Sequence, residues 1–154
     1  SYGDITGMYF AFTVESNINT LPPFYTIPAT MGHELAHQCG YMREDEANFI
    51  AYLACKQSGD ALIRYSGYSL AYSYALSALA QTDEDAARAV SAQLSDEVRA
   101  DRMESMEFWA EYEGPFRTFA QQANDAYLKA NDQLDGTQSY GRMVDLLLAE
   151  RRES

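Results

Sequence analysis

The only two histidines in this 154-residue chain stand four positions apart in a single string, His33-Glu34-Leu35-Ala36-His37. On a helix, residues four apart stack on one face about 5–6 Å from each other, so both imidazoles can aim a ring nitrogen at one ion. The flanking residues favour that helix. Pro28 suits a first helical turn, Met31 and Leu35 give an i, i+4 apolar stripe expected to be buried, and Gly40 is a natural stop. The fold has to place further ligands against this one helix.

The pattern is the HExxH signature, in which the two histidines bind zinc and the intervening glutamate, here Glu34, serves as general base. A catalytic zinc takes three protein ligands and keeps one position open. The third ligand is expected from the next helix, read over residues 43–54 and ended by Gly59, because only Tyr41 and Met42 separate its start from Gly40. Glu44 and Asn48 share one face of it, so Glu44 can bind the metal while Asn48 hydrogen-bonds a ligating histidine. Glu46 lies roughly 200° round the helix from Glu44 and is the alternative ligand.

HExxH followed by a glutamate on the next helix, with an amide or acid four positions later, resembles the gluzincin class of metallopeptidases. The string HELAHQCGYMREDEANFIAYLAC, the RYSGY at 64–68 and the closing YLKANDQLDGTQSYGRMVDLL together resemble an uncharacterised bacterial family of predicted membrane-anchored zinc peptidases. Gluzincins commonly carry Asp where this chain has Asn48. The resemblance implies a zincin-like fold, a Zn2+ cofactor, a peptide or protein substrate, and an anchoring segment ahead of Ser1. It places the full-length protein in the cell membrane with the catalytic domain extracytoplasmic, and this fragment is expected to be soluble. It also implies substrate binding along an exposed sheet edge, for which residues 8–14 are the candidate strand.

Hydropathy and turn signals give an α+β, predominantly α-helical single domain over residues 1–154, with a short N-terminal β element and a C-terminal helical portion. With 47% hydrophobic residues the chain can build a core without staples. Residues 5–13 read as a strand and 17–23 as a loop or short returning strand. Asp60 can cap a helix to about Gln81, and Thr82 with Asp85 resembles a capping box for one reaching Tyr112, where Gly114-Pro115 stops it. Val90, Leu94, Val98, Met106 and Trp109 mark the side of that helix expected to be buried, broken at Arg102. A fifth helix is expected over 115–131, a turn at Asp135-Gly136, and a last helix over 139–150.

No stretch approaches the roughly 18 apolar residues of a membrane span. A net charge of -12 argues against nucleic acid, which needs basic patches. Residues 83–113 hold ten acids against three arginines, a solvated helix face or else a docking face for a basic partner. Cys39 and Cys55 lie too far apart along two helices to pair and read as buried free thiols. Among twelve tyrosines, Tyr68, Tyr65 and Tyr140 lie beside glycine in the family-like strings and are the candidates for stabilising an oxyanion near the metal. Arg64 is read as binding a substrate carboxylate or a local acid.

The chain is therefore expected to be a zinc peptidase with His33, His37 and Glu44 on the metal and Glu34 as base. The alternatives are a non-proteolytic zinc sensor or scaffold, against which an intact Glu34 speaks, and an interaction domain using its acidic helix.

Overall fold

In the computed structural model the described residues are 7–10, 15–111 and 139–153, with side chains described over 18–111 and 141–152. They are predominantly α-helical. Strands β1 (Gly7–Phe10) and β2 (Glu15–Ile18) form an antiparallel pair in which Gly7 faces Ile18 and Phe10 faces Glu15. A 3-10 turn (Phe24–Thr26) leads into α1 (Ile27–Gln38), followed by α2 (Glu44–Lys56), α3 (Ala61–Thr82), α4 (Glu84–Ser91), α5 (Asp96–Glu111) and α6 (Ser139–Glu153). None of the helices in the described residues is long and apolar enough to cross a membrane.

The helix pair that carries the histidines and Glu44 is held together by small residues. A Cβ built on Gly32 of α1 would lie 3.1 Å from the Ala51 Cα of α2, so the two backbones are in near contact. Ala29, Ala36, Ala47 and Ala51 are buried with them. Helix α3 approaches α2 even more closely, one turn further along: a Cβ at Gly67 would come within 2.5 Å of the Cys55 Cβ. Helix α6 packs on both α2 and α3, with Met143 fully buried and Glu150 paired to Lys56. The hairpin rests on α1.

This use of small residues explains where the apolar stripe of α1 fails. Met31 and Leu35 are 45% and 53% exposed, because the close approach to α2 runs through Gly32 and the alanines and leaves the large side chains outside. The element boundaries also shift. Of the strand expected over residues 5–13 the described part is Gly7–Phe10, and the returning strand lies at Glu15–Ile18, ahead of most of 17–23. Asp60 does cap α3, its Oδ1 accepting from the Leu62 and Ile63 amides at 2.8 and 3.1 Å.

The single helix expected over 82–112 is two. Thr82 closes α3, donating its hydroxyl to the Leu79 carbonyl at 3.0 Å, and Asp83 is the true cap, accepting from the Ala86 amide at 2.9 Å. The chain then breaks after Ser91, and Ser95 restarts it as its Oγ accepts from the Val98 amide at 3.4 Å. Divided in this way, the segment cannot present one continuous stripe. Ala87 is the buried residue of α4, Val90 and Met106 are 39% and 69% exposed, and α5 has no buried residue. Cys39 is exposed, in contrast to the buried Cys55, because it lies past the packed part of α1. The helix expected over 115–131, the turn at 135–136 and residues 11–14 of the candidate edge strand lie outside the described residues.

Candidate metal centre

Helix α1 turns His33 and His37 to the same side, and the short link through Gly40 folds α2 back across them. Gly40 has φ +96°, a left-handed conformation that an L side chain would strain, so the link reverses tightly. The start of α2 is fixed by Arg43, which donates to Asp45 Oδ2 at 2.9 Å and also meets Glu46 Oε1 at 3.7 Å. Glu44 thereby reaches both histidines, while Glu46 is held by Arg43 on another face.

Two imidazole nitrogens and the two oxygens of one carboxylate converge, and one ligand atom from each of the three residues lies within 4.8 Å of the others. His33 Nε2 is 2.9 Å from His37 Nε2, Glu44 Oε2 is 3.3 Å from His33 Nε2, and Glu44 Oε1 is 3.4 Å from His37 Nε2. Ligands about 2.0–2.2 Å from a tetrahedral zinc are separated from each other by roughly 3.3–3.5 Å. The two histidine-to-glutamate distances match that spacing, while the two histidine nitrogens, 2.9 Å apart, would have to part by a few tenths of an ångström to admit the ion.

The hydrogen bonds behind the histidines decide which nitrogen faces inward. His37 Nδ1 lies 2.7 Å from the Tyr41 carbonyl, which can only accept, so Nδ1 carries the proton. His33 Nδ1 lies 2.9 Å from Asn48 Oδ1, whose amide nitrogen in turn donates to the Tyr74 hydroxyl at 2.8 Å. In the neutral imidazoles both Nε2 atoms are then the lone-pair nitrogens, and they face each other and a carboxylate. Such a group repels itself unless a cation, a proton or a metal ion, sits among its members.

Charge settles accordingly. Burial alone would raise the Glu44 pKa, yet the hydrogen bonds from His33 and His37 hold it down at about 2. Burial lowers that of His37, but the Glu44 carboxylate and the Tyr41 carbonyl outweigh it and leave it above the ordinary value. Glu34 is 4% exposed, and burial pushes its carboxyl pKa up against the opposing pull of His33 and His37. A carboxylate raised in this way is suited to take up a proton.

Two of the three tyrosines expected near the metal, Tyr65 and Tyr68, are elsewhere. Tyr65 donates to Asp101 Oδ2 at 2.6 Å, which with burial raises its pKa, and its ring lies against Tyr25, so it ties α3 to α5. Tyr68 is half-exposed against the Tyr52 ring. The Tyr140 side chain lies outside the described residues. Arg64 does not face a carboxylate: its Nη1 donates to the Ser58 carbonyl at 2.8 Å. The phenol beside these residues is Tyr74, less than two turns further along α3 than the motif at 64–68. Only its bond to Asn48 reveals it, and that contact spans 26 residues.

A cleft of about 350 Å³ opens beside His33, Glu44 and Asn48, walled by α1, α3 and α5. Tyr25, Ser105 and Trp109 line it on the side away from α2. No curated protein and no solved structure matches the chain. Its sequence does match, over residues 1–148, the family described as Protein of unknown function (DUF3810), and with nearly its whole length covered the chain belongs to that family.

Proposed function

We propose that this protein is a zinc-dependent peptidase of gluzincin type with a zincin-like catalytic domain. The observation that carries this reading is the convergence of two lone-pair imidazole nitrogens and one carboxylate within 3.4 Å of each other, each imidazole locked in its tautomer from behind. His33, His37 and Glu44 hold the ion. A zinc ion there supplies Lewis-acid polarisation of a carbonyl and acidifies a water.

The chain's own residues do the remaining work. Glu34, buried and raised in pKa, accepts the proton of the attacking water and returns it to the leaving amine. Asn48 and the Tyr41 carbonyl keep both rings aimed, and Tyr74 orients Asn48. The hairpin against α1 is the element along which an extended substrate would align by strand addition. By the resemblance in its motifs, the full-length protein is held at the membrane through a segment outside this chain.

Elemental analysis and peptide hydrolysis test the reading together. Wild-type protein should carry one zinc per chain, and His33→Ala or Glu44→Ala should lose it. Glu34→Gln should keep the zinc and lose hydrolysis by orders of magnitude. Zinc retained by His33→Ala refutes the site. Zinc bound by wild type with no hydrolysis of any peptide leaves a sensor or scaffold as the function.

A further inference from the structure

Helix α5 forms one wall of the cleft beside the metal ligands, through Ser105 and Trp109, yet none of its 16 residues is buried. The other walls are seated in the fold: Ala29 and Ser66, which line the cleft from α1 and α3, are 5% and 2% exposed. The side that α5 turns inward is half-buried and follows helical spacing through Val98, Asp101, Arg102, Ser105, Phe108 and Trp109. Its middle is polar. Asp101 accepts from the Tyr65 hydroxyl through Oδ2 at 2.6 Å and from the Tyr25 hydroxyl through its carbonyl at 3.2 Å. Ser105 hydrogen-bonds the Tyr25 phenol, and Arg102 donates to Ser73 Oγ at 3.1 Å with its guanidinium 4.8 Å from the Tyr72 ring.

A helix is ordinarily held by burial of an apolar stripe. Here the polar tethers gather within residues 101–105, and each can be exchanged for hydrogen bonds to water at small net cost. A segment with few buried apolar contacts opens locally for less free energy than global unfolding takes. The chain also has a pivot for such a motion. Residues 92–95 are non-helical between α4 and α5, and α4 is seated by the buried Ala87.

We infer that α5 is a hinged lid on this cleft, latched through Asp101 and Arg102 and swinging about residues 92–95 to move the wall formed by Ser105 and Trp109. Closed, the cleft measures about 350 Å³, at the small end of ligand pockets. A ligand of several amino-acid residues exceeds it. When α5 lifts, such a ligand can reach His33 and Glu44 in the lining from this side, and closure then shuts water out around it. The inference concerns access to the cleft and holds with or without an ion between the histidines.

Trp109 is the only tryptophan of the chain, so its fluorescence reports the lid directly. Tyr65→Phe keeps the ring beside Tyr25 and removes the hydroxyl from Asp101, and Asp101→Asn keeps the shape of the acceptor and weakens the same bond. In either variant acrylamide should quench Trp109 about twofold more strongly, with emission shifted to the red. Amide exchange over residues 96–111 should accelerate roughly tenfold while α2 and α3 keep their wild-type rates. In the wild type the α5 amides should already exchange through local opening, ahead of those of α2. Exchange of α5 only with global unfolding overturns the lid. So does acceleration spread equally over α2 and α3, which would make the latch part of one common core, and so do wild-type quenching and exchange in both variants. Zinc content measured in the same samples tells failure of the lid apart from failure of the metal site.

Discussion

Asn48 stands between Tyr74 and His33, and its amide leaves no doubt about the direction of either bond: the oxygen accepts from the ring and the nitrogen donates to the phenol. Removing it with Asn48→Ala should weaken zinc affinity about 10–100-fold without abolishing binding, since the three ligands remain. Competition with a chelator reads this directly, and unchanged affinity would deny Asn48 its role. Glu34 makes a different prediction. Its folded pKa lies above the ordinary 4.5, so stability is fully present below that value and is lost as pH rises through the folded pKa. Metal-free Glu34→Gln should therefore melt a few degrees above wild type at neutral pH, and the gap should close below about pH 4. No difference at neutral pH would mean that burying this carboxylate costs nothing. His37 works in the opposite sense toward the metal. Its raised pKa keeps a proton in the site to higher pH than the ordinary 6.5, so zinc affinity should begin to fall above that value as the solution is acidified. Zinc titrations at stepped pH check the sign.

At the scale of elements, the site depends on how closely three helices approach. Gly67 lets α3 sit against Cys55 of α2, and a methyl group there must displace one of them. Gly67→Ala should cost about 1–3 kcal/mol and weaken zinc as well, because shifting α3 moves Tyr74 away from Asn48. Thermal melts and metal content together test it, and a stable, fully metallated variant would show that the contact is slack. Helix α5 is fastened differently. Asp101 receives the Tyr65 and Tyr25 hydroxyls through its side chain and its carbonyl, and no residue of the helix is buried. Its sequence read as part of one long buried helix because the apolar spacing runs through the break. The restart at Ser95, followed by Asp96 and Glu97, has the composition of a helix cap, which the apolar spacing across the break hides.

For the whole molecule, an ion held by His33, His37 and Glu44 would act as a cross-link between α1 and α2, joined otherwise through small side chains. Saturating zinc should raise the melting temperature and a chelator should lower it to the metal-free value, by an amount set by free zinc over its dissociation constant. A melting temperature indifferent to the chelator would contradict a native-state site. The acidic surface is compatible with this architecture. Arg88 pairs with Glu84 and Asp85, and Arg99 with Asp96, on exposed faces where such pairs contribute little. These paired charges of α4 and α5 thus lie on a solvated face, while Ala87 and Asp101 of the same segment turn inward.

Local rules were enough for what local physics controls. The histidine spacing, the positive-φ glycine after α1, the two-residue approach to α2 and the Asp60 cap all act within a few positions of the chain, so His33, His37, Glu44 and Asn48 could be placed on facing helices from sequence. Tertiary structure decided the rest. Which side of α1 is buried followed from backbone contact at Gly32, which favours the absence of a side chain over hydrophobicity. Which tyrosine meets the site followed from a contact 26 residues away in the chain, and no pattern along one helix encodes the partner on another. The cleft exists only where residues of α1, α3 and α5 converge, and no local pattern along one helix encodes that meeting.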